Sequence, residues 1–445
     1  MFIKNFKESK ANVLKIMERK PEGLKKKLIP IALETLKQKK EILKIVAKRG
    51  TPFYLLDEAA LDQSIDSFMS AFAKHLNGRP YYAVKSNYHP AILKRVVEKG
   101  MGLDVSSGRE LKLAIKAKAK TIVFSGPGKT DEELSLALKY RKKVIIHVDN
   151  FNELKRLGAL TSKSHKKIAI GVRFFTPYHL GNKFGIPLED LKEFWTEAKK
   201  HPYLELRGLQ SHFSWNKDSK KYGAMLKLLA EHLKKHFSQE EQDQIHFIDL
   251  GGGYYPKQVE GVYPWTGRYP SHLHGGTLAK LANSELGVKT EFTDPYYITD
   301  SKTADEYAKL IGTVVKQNLS FLKHCTYYAE PGRMICTPAM HIVLKIVDIK
   351  KFSVGITDGG LNAMGWEYGE YLYMPIVNLT HPSKKELPFT LYGSLCTPRD
   401  IWGHHCFASK MESGDVLVVP NQGAYRYTLA QEFIKDIPPV YVLKR

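Results

Sequence analysis

From about residue 80 the sequence alternates between short apolar or β-branched runs and amphipathic helical stretches. The runs are Tyr81–Ser86, Gly102–Ser106, Thr121–Ser125, Val144–Val148, Ile168–Arg173, Leu206–His212, Phe247–Leu250 and Tyr327–Ala329, and helix follows most of them. Eight such units suggest a (β/α)8 TIM barrel, with an open doubly wound sheet as the alternative. The ends of the runs favour the barrel. They close in polar or glycine residues: Lys85-Ser86-Asn87, Asp104 to Gly108, Ser125 to Gly128, His147 to Asn150, Arg173, His212, Gly251 to Gly253 and Glu330 to Arg333. A barrel gathers all eight strand ends on one face, whereas an open sheet spreads them along an edge.

After about residue 335 the pattern changes. Ile342–Val347, Val354–Thr357, Phe389–Tyr392, Val416–Val419 and Val440–Leu443 are β-rich runs without long helices between them, which reads as a mainly antiparallel domain. The chain of 445 residues has room for both units. Its first 50 residues read as two or three helices, broken at Pro21-Glu22-Gly23 and interrupted again at Pro30, with a boundary at Gly50 and Pro52. The expected division is a basic helical extension (1–50), a barrel (51–325) and a C-terminal β-domain (326–445), with the strand near residues 53–56 assignable to the β-domain.

Composition narrows the function classes. No apolar run reaches the roughly 18 residues of a membrane span, and the N-terminus has lysines but no apolar core of a secretory signal. Cys325, Cys336, Cys396 and Cys406 form no C-x-x-C pair, so neither a zinc site nor a disulfide framework is indicated, and a reducing, cytoplasmic setting is expected. The net charge is +22; residues 1–50 hold fifteen Lys/Arg against five Glu, a net +10. That excess reads either as a solvated helical face or as a docking surface for something acidic. Only Phe2 and Phe6 interleave it with aromatics, so nucleic acid is not the expected partner.

Several strand-end residues carry chemistry. Lys85 follows a buried run; burial depresses a lysine pKa, as imine formation requires, while the plain alternative is a snorkelling surface lysine. Gly251-Gly252-Gly253 suits either a tight turn or a close approach of backbone N–H groups to a phosphate. Glu330, in Glu330-Pro331-Gly332-Arg333, could hold the protonated ring nitrogen of pyridoxal phosphate (PLP), or belong to an exposed turn. His212 could stack on an aromatic ring or be a satisfied core histidine, and Cys396 could move a proton at a carbanion or be a small buried hydrophobe.

Taken in order, these segments resemble the fold-type III PLP-dependent decarboxylases, the diaminopimelate and ornithine decarboxylase family, from about Pro52 to Tyr441. About nine motifs occur in the family's order, so the match is specific. The resemblance implies an alanine-racemase-like barrel followed by a β-domain, PLP as cofactor, and a homodimer with shared active sites. It makes Lys85, in Tyr-Ala-Val-Lys-Ser-Asn, the Schiff-base lysine and Asp104 the aspartate near the cofactor. Ser125 to Thr130 and Lys183-Phe184-Gly185-Ile186 are similar to two further family segments, with Arg173 ahead of the second. His212 becomes the ring-stacking histidine, Gly251, Gly252 and Gly253 the phosphate loop, and Glu330, Gly332 and Arg333 the ring-nitrogen and phosphate segment. Tyr425 matches a phosphate-contacting tyrosine, Asp358 a substrate-contacting aspartate, and Cys396 the catalytic cysteine that reaches across the dimer interface.

Departures bear on the substrate. The family's His-x-Gly-Ser reads His212-Phe213-Ser214-Trp215 here, with Ser214 still available to the phosphate. Where the family has an acidic residue after the cysteine, this chain has Thr397, with Asp400 three residues on. The distal-carboxylate arginine of diaminopimelate decarboxylases has no counterpart in Trp366 to Tyr373. Diaminopimelate is therefore not the expected substrate. What remains is a basic amino acid read by Asp358, Glu367 or Glu370, or a larger amino-acid conjugate; for the latter the basic extension could dock an acidic carrier protein. The competing readings are a PLP-dependent racemase of the same barrel and a non-catalytic binding homologue, though Lys85 and the cofactor segments are all kept.

Overall fold

The computed structural model describes residues 24–179, 183–214, 216, 218–257, 261–262, 296–297, 301–365 and 372–443. The first strand, β1 (Phe53–Asp57), precedes the β/α region. Then come β2 (Gly78–Ala83), β3 (Gly102–Val105), β4 (Ile122–Phe124), β5 (Val144–Val148), β6 (Ile168–Phe175), β7 (Ile186–Pro187), β8 (Leu204–Gln210) and β9 (Phe247–Asp249). Two short strands, β10 (Gly261–Val262) and β11 (Tyr296–Tyr297), precede β12 (Thr326–Ala329). The remainder is β13 (Met340–Lys350), β14 (Val354–Thr357), β15 (Leu372–Tyr373), β16 (Val377–Asn378), β17 (Pro382–Tyr392), β18 (Ile401–Ala408), β19 (Val416–Val419) and β20 (Val440–Leu443).

Eight parallel strands run β5-β4-β3-β2-β12-β9-β8-β6, and β5 pairs back to β6, so the sheet closes into a barrel. All eight runs picked out along the sequence supply its strands. The ring includes β12, so it extends past the boundary expected at residue 325: Tyr327 and Tyr328 pair with both β2 and β9. Capping residues start helices directly at strand ends. Ser107 accepts from the Glu110 N–H, Thr130 and Glu133 form a capping box, and Asn150 accepts from the Glu153 N–H. Short loops therefore keep the strand ends facing one opening.

The barrel interior is layered. Near the strand starts Phe247 stacks on Tyr328 at 4.6 Å, and Tyr81 packs against Tyr328 at 4.9 Å. Room for these rings comes from missing side chains: a Cβ on Gly208 would lie 2.4 Å from the Phe247 carbonyl oxygen. Towards the strand ends the inward positions turn polar, with Asp104, His147, Gln210 and Asp249 all fully buried. A dry interior carries such groups only for a reason, and they lie under the site described next.

The second sheet is mostly antiparallel. Six strands, β14-β17-β18-β16-β19-β13, form a ring because β13 also pairs with β14, and β1 and β20 extend it from β13. β1 belongs to this sheet although it precedes the barrel, its Tyr54 lying opposite Ile342. Helices Leu24–Lys37 and Lys39–Arg49 cover the sheet, and Leu28, Ala32 and Ile42 are buried with Phe53, Leu55, Val343 and Val418. Pro30 was expected to interrupt this region; it lies instead inside the first of these helices. Burial of Leu28 and Ala32 on either side outweighs the one hydrogen bond the proline removes. Residues 1–23 of the expected extension lie outside the described residues.

Candidate active site

Lys85 sits not on β2 but one 3₁₀ turn beyond it, in Val84–Ser86. The turn is held on both sides: Ser86 Oγ donates to the Ala83 carbonyl (2.6 Å), and the Tyr425 N–H donates to the Ser86 carbonyl (2.7 Å). Asn87 Nδ2 donates to the Gly423 carbonyl, tying this turn to the loop after β19. The lysine opens into a cavity of about 220 Å³ at the barrel's strand ends. His212, Ser214, Gly252, Gly253, Tyr255, Glu330, Gly332, Arg333 and Tyr425 line it. The glycine segments after β9 and β12 thus meet at one cavity with Lys85.

The electrostatics of Lys85 differ from expectation. Burial alone pulls its pKa down, but attraction from Asp104, Tyr425 and Glu330 exceeds that pull, against repulsion from Arg173, and the amine is raised above its ordinary value. The carboxylates that the barrel places beside Lys85 reverse the effect of its burial.

Asp104, at the end of β3, accepts a hydrogen bond from Ser125 Oγ (2.5 Å). Burial, then repulsion from Glu330, pushes its carboxyl up to about 7, against the pull of Lys85. Arg173, on β6, donates to the Ser125 carbonyl (2.9 Å), lies 3.8 Å from Asp149 and stacks over Phe184 at 4.5 Å. Asp149 also accepts the Gly185 N–H (3.0 Å), so it joins the Lys183-Phe184-Gly185 turn to the arginine; nothing in the sequence motifs pointed to it.

Glu330 is buried and accepts from Gln210 Nε2 (3.2 Å). Its other oxygen is 3.2 Å from His212 Nδ1, which also lies 3.0 Å from the donating Gly252 N–H. One nitrogen cannot accept from the glycine and donate to the carboxylate at once, so these contacts are alternatives set by the tautomer. Burial, then the charges of Lys85 and Arg173, hold His212 well below the usual range, leaving a neutral ring.

The glycine loop has the shape a phosphate cradle needs. Gly251 and Gly253 have φ of +67° and +88°, and a Cβ on Gly253 would lie 2.1 Å from the Phe213 carbonyl oxygen. The Gly251 N–H donates to Asp249 Oδ1 (2.8 Å), so two of the three loop amides face inward to side chains. The Arg333 guanidinium, also in the lining, lies over Tyr425 at 4.6 Å. A glycine loop, a guanidinium, a buried carboxylate and an amine around one cavity fit the groups that PLP needs.

The residues expected to read the substrate are placed differently. Asp358 accepts the Lys345 N–H (2.9 Å) through one oxygen and Thr51 Oγ (2.5 Å) through the other. Asp400 is buried and accepts the N–H groups of Leu361 and Leu395, both at 2.7 Å. It thereby folds the loop that presents Cys396, which is exposed and is not in the lining of the Lys85 cavity of its own chain. Thr397 is half-buried beside it and accepts the Arg399 N–H through its hydroxyl. Glu367 and Glu370 lie outside the described residues.

Comparison with known proteins agrees with this geometry. Residues 59–266 match the family model of the pyridoxal-dependent decarboxylase pyridoxal-binding domain. The chain is 26% identical over 414 residues to the 2-[(L-alanin-3-ylcarbamoyl)methyl]-2-hydroxybutanedioate decarboxylase of Staphylococcus aureus, covering 87% of this chain and 93% of that one. It is 25% identical to the diaminopimelate decarboxylase of Methanocaldococcus jannaschii, covering 88% and 86%. A solved structure titled as the M. jannaschii diaminopimelate decarboxylase superposes with a TM-score of 0.72 at 21% identity, covering 90% and 89%. The lysine/ornithine decarboxylase of Vibrio vulnificus superposes with a TM-score of 0.70 at 20% identity, covering 92% and 98%. The family model, the relatives and the structural neighbours together support the fold-type III PLP-dependent decarboxylase family for this chain.

Proposed function

We propose that this decarboxylase acts on an amino-acid conjugate rather than on a free basic amino acid. The observation that carries the choice is the state of Asp358 and Asp400. Asp358 was expected to read a distal amine, as were Glu367 or Glu370, which lie outside the described residues, and Asp400 stands near the family's acidic position; both aspartates have their two carboxylate oxygens engaged by Thr51, Lys345, Leu361 and Leu395 of the fold. Thr397 between them is uncharged. The S. aureus relative, whose name describes an alanine-derived conjugate of a hydroxy-dicarboxylate, has a substrate of the proposed kind.

Bound in the cavity, PLP supplies the electron sink for loss of the α-carboxylate. Lys85 is the amine that would anchor it. Gly252, Gly253, Gly332, Arg333, Ser214 and Tyr425, which line the cavity, would hold its phosphate, with the Gly251 N–H fixing the loop to Asp249. Glu330 would accept a hydrogen bond from the protonated ring nitrogen, and the neutral His212 ring beside it would support the face of the cofactor. Asp104 and Arg173 flank Lys85 and set its charge. In a cytoplasmic homodimer with shared sites, Cys396 of the partner subunit would return a proton to the substrate carbon. Lys37, Lys40, Lys44 and Lys48, exposed on helices Leu24–Lys37 and Lys39–Arg49, offer a surface on which an acidic carrier could present the conjugate.

The test is carbon dioxide release by the PLP-loaded protein from lysine, ornithine, arginine, diaminopimelate and a set of 2,3-diaminopropionate amides. Release confined to the amides supports the proposal. Release from lysine or ornithine at comparable kcat/KM overturns it.

A further inference from the structure

Under Glu330 the barrel buries more acid than base. Lys129 pairs with Glu153 (2.7 Å) and Arg173 lies 3.8 Å from Asp149, which accounts for two cations and two carboxylates. Of the remaining buried carboxyls, Asp104 and Glu330 act on Lys85, and Asp249 lies beside Glu330. Neighbouring buried carboxylates repel one another, which favours one of them keeping its proton.

Asp249 is the one with the least support for a charge. Its Oδ1 accepts the Gly251 N–H, but its Oδ2 is buried with no hydrogen-bond partner among the described residues. The basic group nearest that oxygen is His147 Nε2, at 3.7 Å. His147 is itself fully buried, and burial, then Lys129 and Arg173, hold it well below the usual range, so it brings no positive charge. Side-chain atoms of His147, Asp249 and Glu330 lie within 4.8 Å of one another. Two carboxylates that face each other at this range attract only if one keeps its proton.

We propose that Asp249 is a positioning residue for Glu330: an un-ionised acid that fixes the glycine loop with one oxygen and donates the O–H of the other to the Glu330 carboxylate. This rests on the reading of Glu330 as the partner of the ring nitrogen. Burial, followed by repulsion from Glu330, raises Asp249 well above the carboxylate range, in the required direction. The groups around the pair are Lys85, Asp104, Arg173, Lys129, His147 and His212, and of these Asp104 is raised as well. The Glu330 carboxylate then accepts from both Gln210 and Asp249. The Glu330 N–H also donates to the Gly251 carbonyl (2.8 Å), so one side chain and one backbone bond fix the distance between the phosphate loop and the ring-nitrogen carboxylate.

The experiment compares wild type, Asp249→Asn, Asp249→Ala and Glu330→Gln by PLP affinity of the apoprotein and by pH titration of the bound-cofactor absorbance. Asparagine keeps the acceptor for Gly251 and presents a permanent donor to Glu330. Asp249→Asn is expected to bind PLP within about threefold of wild type and to titrate alike, while Asp249→Ala weakens binding at least about tenfold. An asparagine variant that weakens PLP as much as alanine does, or that shifts the titration by a full unit or more, overturns the proposal, because the wild-type group would then be ionised. If the alanine variant does not fold, the asparagine comparison decides alone. A Glu330→Gln titration identical to wild type removes the underlying reading of Glu330; a shifted Glu330→Gln titration together with a failing Asp249→Asn removes only the role of Asp249.

Discussion

Replacing Asp104 by asparagine should flatten the pH dependence of apoprotein stability. A carboxyl raised in the folded state holds its proton more tightly there than in the unfolded chain. Its contribution is therefore complete below the unfolded pKa, declines as pH rises towards the folded value, and is constant above it. For Asp104 that decline runs from 3.8 to about 7. At about 1.4 kcal/mol per unit, the part falling between pH 5 and pH 8 is on the order of 2.5 kcal/mol. Asparagine cannot ionise, yet its side-chain oxygen still accepts from Ser125 Oγ. Thermal melts of the cofactor-free protein should thus show the variant gaining on wild type by roughly 3–5 °C between pH 5 and pH 8. Asp249 titrates in the same direction in both proteins, so only the difference between them is read. Parallel curves across that range would refute the reasoning, because Asp104 would then be ionised in the fold at pH 5.

Other substitutions probe the scaffold of the site. Gly253→Ala forces a side chain onto a residue with φ +88° and against the Phe213 carbonyl; it should lower PLP affinity at least about tenfold by equilibrium titration. Asp400→Ala strands the buried N–H groups of Leu361 and Leu395, at a cost of about 2–4 kcal/mol by denaturant unfolding, and should reduce turnover by disordering the Cys396 loop. Leu28→Ala should destabilise the second sheet by about 2–5 kcal/mol in the same assay while PLP affinity holds, since Leu28 packs with Phe53 and Val343, remote from the Lys85 cavity.

The barrel was legible because each of its strands is a short apolar run that ends at a residue with chemistry to do. Asp104, Arg173, His212 and Glu330 could be placed from those ends, and the structure gathers them around Lys85. The second sheet was legible only in part. β18 was missed since Gly403, His404 and His405 interrupt its apolar pattern, although every residue of the strand is buried. Pairing across the chain was also hidden: nothing local to residues 53–57 says that they lie opposite β13. Asp358 and Asp400 look alike as acidic residues near family motifs. Only the folded loop shows that backbone amides and Thr51 already occupy them. The sign of the Lys85 shift was illegible for the same reason, because burial can be guessed from a run of apolar residues and the carboxylates around a side chain cannot. Asp249 and His147 carry no motif signal beyond facing inward near strand ends.

The central claim is that Lys85 anchors the cofactor. Reducing the PLP-loaded protein with borohydride and mapping the modified peptides by mass spectrometry tests it directly. The account predicts the cofactor-derived mass on the peptide containing Lys85, absent in Lys85→Ala. The same adduct on a different lysine, or an unchanged yield in Lys85→Ala, would contradict it.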